Sequence, residues 1–306
     1  MSSVISSHSP DAVSQAVSVL NAGGLVGLPT ETVYGLAARA DIDSAVSNIF
    51  RAKGRPTGHP LILHLSDISE IDRYAVNIPS AAMTLAKHCW PGPLTLLLHK
   101  TNAVSHLVTG GRETVAIRIP ANDCARQIIR QCGNALAAPS ANVFGHVSPT
   151  SAQHVLNDLG DKVDLIVDDG DCTIGVESTI VDFTTSPPQL LRPGGFPAED
   201  LESIIGQQIL MPSGESRASG MLASHYAPQC KVVLVESFAE AKHALSDYDN
   251  ARILDFWDNS PLYAASLYTQ MRQADSDGKA TIIAVLPDMS GLGTAIRDRL
   301  SKASFL

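Results

Sequence analysis

The sequence predicts an α/β fold in which a twisted, mixed-sheet domain is followed by a second, smaller βαβ parallel-sheet domain. Three observations carry this prediction. Short apolar strands alternating with period two are interleaved with helices whose apolar residues recur every three to four positions. The strands expected at 178–183 and 189–192 follow one another without a helix, so the sheet is not uniformly parallel and doubly wound. Beyond residue 228, three apolar segments, VVLVE, ARILDF and TIIAVLP, alternate with helical stretches near 237–246, 261–273 and 294–302, a βαβαβα order. The expected organisation is a large domain over 1–206, a linker over 207–228 and a small α/β domain over 229–306.

Taken in order, Ser9 is placed to cap the first helix with Pro10 at its first position. Val13, Ala16, Val17 and Leu20 form its apolar stripe, and Gly23-Gly24 ends it. A short strand at 25–29 follows. A second helix carries Ala45, Val46, Ile49 and Phe50 and breaks at Gly54 and Pro56. In LILHL, 61–65, Ile62 and His64 share one face; in TVAIRI, 114–119, Val115, Ile117 and Ile119 share a face and leave Ala116 and Arg118 opposite. Further strands are expected at 94–99, 135–138 and 163–167, and helices at 80–89, 123–131, 151–159 and 198–205. From 207 to 228 Gly, Ser, Pro and Met predominate without a period, which reads as an interdomain linker.

Composition narrows the function. At 306 residues with 44% hydrophobic and 17% charged, the chain has ample material for a core, and wholesale disorder is excluded. Aromatics make up only 5%, which disfavours reading single-stranded nucleic acid by base stacking. A net charge of −9 repels phosphate backbones, so an anionic ligand needs a local basic pocket. Cysteines at 89, 124, 132, 172 and 230 show no metal spacing and read as reduced thiols of a cytosolic protein. The first twenty residues contain no Lys or Arg and no apolar h-region, unlike a secretory or mitochondrial leader. Residues 131–157 lack Asp, Glu, Lys and Arg, but their prolines, Gly145 and serines make them a protein-buried or ligand-facing loop rather than a membrane span.

Four clusters could carry chemistry. PTETVYGLAARA, 29–40, reads by itself as an ordinary strand-to-helix turn. RAKGRPTGHPLILHL, 51–65, concentrates Arg51, Lys53 and Arg55 at a helix C-terminus, where they either cap the helix or, on a stiff Gly-Pro loop, hold a triphosphate. His64 taken alone reads more readily as a satisfied strand residue than as a catalyst. Arg118, inside an apolar strand, must pair with an anion, either an internal Asp or Glu or a ligand carboxylate. In APSANVFGHVSPT, 138–150, Ser140, Asn142, Ser148 and Thr150 surround small residues where backbone N–H groups can approach an anion. GVESTIVD, 175–182, and LLRPGG, 190–195, add Ser178 and Arg192. G-x-S-x-G, H-E-x-x-H and Walker P-loop motifs are absent from the sequence.

In this order PTETVYGL, KGRP…HPLILH, TVAIRIP, APSAN…SPT, GVESTIVD and LLRPGG resemble the YrdC-type family. With SHYAP and an appended small domain, the chain is similar to the two-domain, long form of L-threonylcarbamoyladenylate synthase. The resemblance is specific over 11–195; over 229–306 it rests on position and α/β pattern. It implies a nucleotidyltransferase that condenses L-threonine, bicarbonate or CO2 and ATP, accompanied by Mg2+, to threonylcarbamoyl-AMP and pyrophosphate. A separate complex would then carry the threonylcarbamoyl group to the tRNA adenosine beside the anticodon. It implies a cytoplasmic protein without membrane attachment or extended nucleic-acid binding, with no covalent nucleophile and no side-chain metal ligands.

By the same resemblance Thr32, His64, Arg118 and Ser178 hold threonine, with Arg118 on its carboxylate and the backbone of Ala138 nearby. Arg55, His59, Thr114, Ser140, Ser148 and Arg192 hold ATP, Lys53 and Asn142 lie near its phosphates, and Lys53 and Arg55 stabilise charge. Tyr226 closes over the nucleotide, making the linker a lid. His59 stands where many relatives carry Asn, and Leu222-Ala223-Ser224 replaces a basic residue common before HYAP. Two other functions compete. One is carbamoyl-AMP formation, as in hydrogenase-maturation carbamoyltransferases, which carry Cys-rich zinc motifs that this sequence lacks. The other is an RNA-binding ribosome or tRNA maturation factor, disfavoured by the acidic total and the scarcity of aromatics.

Overall fold

The computed structural model of the chain describes residues 3–212, 217–218, 220, 226–256 and 258–304. It opens on β1 (Ser3–Ser6), an edge strand that sequence reading misses because serines replace the apolar alternation. α1 (Ala12–Asn21) buries Ala12, Ala16 and Leu20. Asp11 occupies its cap position, and the Ala12 N–H donates back to the Ser9 carbonyl, so Ser9 and Pro10 form a turn before the helix instead of starting it.

β2 (Val26–Leu28) and β3 (Gly35–Arg39) form an antiparallel hairpin with Leu28 opposite Gly35 and Val26 opposite Ala37. Residues 29–40 are therefore not a strand-to-helix turn; α2 (Asp43–Lys53) begins only after a second strand. Leu36, Ala37 and Ala38 are buried on both sheet faces, so neither alternation nor β-branching marks the strand.

The remaining elements lie within two residues of their expected positions where the sequence placed them. They are β4 (Ile62–His64), α3 (Ile71–Tyr74), β5 (Ala75–Val76), α4 (Ser80–Cys89), β6 (Leu94–Lys100), α5 (His106–Thr109), β7 (Thr114–Arg118), α6 (Asp123–Cys132), β8 (Leu136–Ala137), α7 (Ala152–Leu159), β9 (Leu165–Asp168), β10 (Thr179–Asp182), β11 (Gln189–Arg192) and α8 (Ala198–Ile205). Sequence periodicity did not reveal α3, β5 and α5, each four residues or fewer. The strands run in the order β1-β9-β2-β3-β8-β4-β7-β6-β10-β11, with β5 beside β6. Pairs β4/β7 and β6/β10 are parallel, while β6/β7, β4/β8 and β10/β11 are antiparallel, so the sheet is mixed.

The central strands divide their side chains cleanly. Leu61, Leu63, Val115, Ile117, Leu96 and Val181 join the main core with Val46, Ile49 and Leu85 of α2 and α4. The opposite face carries Ile62, Ala116 and Ile180, covered by Ala218 of the linker. His64 and Arg118 lie on that second face, two residues along from Ile62 and Ala116, as their alternation requires.

The second unit consists of β12 (Lys231–Val235), α9 (Phe238–Ala244), β13 (Ala251–Leu254), α10 (Ser260–Ser276), β14 (Thr281–Val285) and α11 (Leu292–Ala303). Its strands are parallel in the order β12-β14-β13. Tyr263, Leu267, Tyr268 and Met271 of α10 and Ile296 and Leu300 of α11 pack in one cluster with Val33, Val147 and Val176 of the large unit. Between the units, Leu190 N–H donates to the Leu210 carbonyl at 2.8 Å, and Ala227 N–H to Gly145 at 3.0 Å.

Candidate active site

One cavity lies against the second sheet face. Its walls include Thr32, Arg55, His64, Arg118, Ala138, Ser140, Ser178, Arg192 and Tyr226, and it encloses about 560 Å³ including its mouth. Nine residues singled out from sequence therefore converge from β4, β7, β11, four loops and the linker.

Arg192 reaches the cavity by an irregularity. Ile180 stands opposite Arg192 but Val181 stands opposite Leu190, leaving Leu191 as an extra residue in β11. A regular ladder would turn Arg192 to the main-core face with Leu190; the bulge returns it to the face of Ile180. Its Nε and Nη2 donate to the Ser178 carbonyl at 3.0 and 2.9 Å, and Nη2 also donates to Ser178 Oγ at 3.0 Å. Ser178 Oγ is 2.7 Å from Thr95 Oγ1. Gly194 permits this packing: a Cβ there would lie 2.3 Å from the Glu177 carbonyl oxygen.

Arg118 has an internal partner. Its Nη2 lies 2.6 Å from Glu31 Oε1, Nη1 donates to Thr32 Oγ1 at 2.8 Å, and Nε donates to the Gly92 carbonyl at 3.1 Å. Nε and Nη1 each make one hydrogen bond, while Nη2 meets Glu31 as an ion pair without a hydrogen bond, so the guanidinium's donors are not exhausted. Of the two alternatives for Arg118 the internal one is present: Glu31 sets the guanidinium, and Arg118 also lines the cavity.

His64 is buried, and burial together with Arg118 pushes its pKa down to about 3, so the ring is neutral at neutral pH. Nδ1 lies 3.2 Å from the Ile62 carbonyl, which can only accept; Nδ1 therefore carries the proton and Nε2 is left as an acceptor. Burial likewise pulls Arg55 down to about 10, although its guanidinium stays charged at neutral pH.

Five expected site residues stand outside the cavity wall. Lys53 is buried, and its Nζ donates to the carbonyls of Ser140 and Asn142 at 2.5 and 2.6 Å. Asn142 Nδ2 donates to Val143 and His146 carbonyls at 3.0 and 2.7 Å. These two side chains shape the 140–146 loop rather than face the cavity. Ser148 Oγ donates to Glu177 Oε1 at 2.6 Å. His59 packs edge-on against Phe144, with ring centroids 5.3 Å apart, and Arg55 lies over the same ring. Thr114 sits at the start of β7, paired with His99, two residues before the cavity-face Ala116. Leu222-Ala223-Ser224 lies outside the described residues.

Glu177 is a wall residue that the sequence reading quoted within GVESTIVD without assigning it a role. It accepts from Ser148, from Tyr268 Oη at 2.9 Å and from Arg299 Nε at 2.7 Å. Burial opposes its charge, but Arg299, Arg192 and the Ser148 hydroxyl outweigh that and hold the carboxyl at about 2. A carboxylate depressed in the folded state stabilises above its ordinary pKa and loses that contribution as pH falls toward the folded value. Thermal melts should therefore show stability lost between about pH 4.5 and pH 2, and Glu177→Gln should flatten that acid limb. An unchanged limb would assign acid lability elsewhere. Arg299, also missed, did leave a signal: it lies within the apolar stripe Ile296, Leu300, Ala303 of α11, all buried.

A mixed-sheet α/β protein whose buried cavity gathers three guanidinium groups, hydroxyls and a neutral imidazole belongs to the class that binds anionic small molecules by position and charge. The chain belongs to the Sua5/YciO/YrdC family: the family described as "Telomere recombination" matches residues 18–194, and "Threonylcarbamoyl-AMP synthase, C-terminal domain" matches 196–304. It is 41% identical to the threonylcarbamoyl-AMP synthase of Pyrococcus abyssi, across 94% of this chain and 93% of that one. It is 39% identical to the Bacillus subtilis protein of the same name, across 98% and 94%. Its fold is similar to that of P. abyssi Sua5 complexed with L-threonine, with a TM-score of 0.92 and 37% identity over 99% of this chain and 97% of that one. The chain is an enzyme of this family, in its two-domain form.

Proposed function

We propose that the cavity condenses L-threonine, bicarbonate or CO2 and ATP to threonylcarbamoyl-AMP and pyrophosphate. The observation that carries this reading is that Thr32, His64, Arg118 and Ser178 share one cavity with Arg55, Ser140, Arg192 and Tyr226. A carboxylate fits the uncommitted donors of Arg118, and His64 Nε2 can accept from an amine or hydroxyl of the same ligand. The amine and CO2 form a carbamate with loss of a proton; from bicarbonate, water leaves instead. A carbamate oxygen attacks the α-phosphorus of ATP, the bond to the β-phosphate breaks, and pyrophosphate departs.

No covalent nucleophile is needed. Holding the reactants in line supplies up to roughly 7–11 kcal/mol, and Arg55 and Arg192 stabilise the phosphate charge. Lys53 and Asn142 act by holding the loop that presents Ser140, Ser148 acts through Glu177, and His59 and Phe144 support Arg55. Thr114 would meet the nucleotide only at the cavity's outer margin. Mg2+ would arrive with ATP and be bound by its phosphates. The cavity's remaining carboxylate, Glu177, is committed to Arg299, and no cluster of three His, Cys, Asp or Glu able to hold a metal occurs among the described residues.

The product would pass to a separate complex that modifies tRNA beside the anticodon, and the enzyme would work in the cytoplasm. Among the described residues no helix is long and apolar enough to cross a membrane. Pyrophosphate release should require both L-threonine and bicarbonate, with the mixed anhydride of threonylcarbamate and AMP detected by mass spectrometry. Equal release without threonine would refute the substrate assignment, and tight, salt-dependent tRNA binding without ATP turnover would favour an RNA-binding role.

A further inference from the structure

We infer that Arg299, on α11 of the C-terminal unit, is a positioning residue that holds the Ser178–Arg192–Tyr226 side of the cavity in register from outside it. The inference rests on the functional reading above. The Arg299 side chain is wholly buried, although it arises from the other unit. Nε donates to Glu177 at 2.7 Å, Nη2 donates to the Pro193 carbonyl at 3.0 Å, and the guanidinium lies 4.9 Å from the centre of the Tyr226 ring. Glu177 precedes Ser178, Pro193 follows Arg192, and Tyr226 is itself part of the wall.

Three chain segments are thus joined by one planar fork. The same helix adds Lys302, whose Nζ donates to the Gly220 carbonyl at 2.7 Å. Gly220 abuts the site so closely that a Cβ there would lie 2.6 Å from Tyr226 Oη and 2.9 Å from Arg192 Cδ. Arg299 does not itself line the cavity, so it acts through the groups it holds. Arg118 is set by Glu31, Thr32 and Gly92, none of which Arg299 touches. The consequence is an unequal one: Arg192 and Tyr226 face the nucleotide while threonine meets this side only through Ser178, so the nucleotide should sense Arg299 more than threonine, whose anchor Arg118 is untouched.

The test is steady-state kinetics of pyrophosphate release by full-length Arg299→Lys, Arg299→Met and Glu177→Gln, with thermal melts of each. Lysine keeps the charge but cannot bridge Glu177 and Pro193 together. We expect kcat/KM for ATP to fall by about tenfold or more while KM for threonine stays within about threefold. A folded Arg299→Lys or Glu177→Gln variant with unchanged kcat/KM for ATP would overturn the inference, as would equal losses for both substrates. Should Arg299→Met fail to fold, the other two variants decide. Should the wild-type enzyme show no threonine dependence, the functional reading itself fails. ATP affinity measured by calorimetry then decides the role of Arg299: weakened binding in Arg299→Lys supports it and unchanged binding overturns it.

Discussion

Arg118→Ala is expected to raise KM for L-threonine by about a hundredfold or more, with KM for ATP little changed, because it removes paired, charge-assisted donors from the substrate carboxylate. The structure adds a second expected effect. Glu31, whose side chain lies 2.6 Å from Arg118 and is 9% exposed, would be left as a buried, uncompensated carboxylate. Breaking one side of such a pair costs about 3–5 kcal/mol of stability. The two effects separate in the double variant Glu31→Gln/Arg118→Ala, which should recover much of the melting temperature and none of the threonine affinity. Isothermal titration with threonine and thermal melts measure both. A folded Arg118→Ala variant that binds threonine as tightly as the wild type would leave Arg118 with a purely internal role.

Removal of the chain after residue 205 is expected to cost turnover at least about a hundredfold, since alignment and exclusion of water both depend on parts that would be lost. Tyr226, which lines the cavity, disappears with Arg299 and Tyr268, the partners of Glu177. So does Arg272, which bonds to the Val147 and Ser148 carbonyls and pairs with Asp158. Val33, Val147 and Val176 lose their apolar cover, so the fragment should retain its circular-dichroism spectrum but melt earlier. Full activity in the fragment would remove both the lid role of Tyr226 and the contribution of the second unit.

How much of this was legible in the chain depended on whether local pattern or distant partner sets the outcome. Arg118 stood out because an interrupted apolar alternation specifies a face, and the structure keeps it there; His64, on the same face, was singled out only by the family resemblance. The anion beside Arg118 was not legible: Glu31 lies in a motif read as a turn, and only the β2–β3 hairpin brings it across. Lys53 misled for the same reason. A basic residue beside Gly and Pro suggests a phosphate, but the carbonyls that capture it belong to Ser140 and Asn142, far along the sequence. β3 escaped notice because an alanine-rich strand buried on both faces has no period to read. Arg299 could have been found, since a charge among Ile296, Leu300 and Ala303 asks for a buried counter-charge.

The extra residue at Leu191 bears on how this protein could be altered. A sheet chosen only for durability would close the ladder between β10 and β11 by sliding Leu191 opposite Ile180. That tidier sheet would turn Arg192 into the greasy interior and empty the hollow of one of its three cations. At this rung two residues of β11 stand against one of β10 to keep a guanidinium in the hollow, and regularising the edge would both remove that charge from the ligand and strand it among apolar side chains.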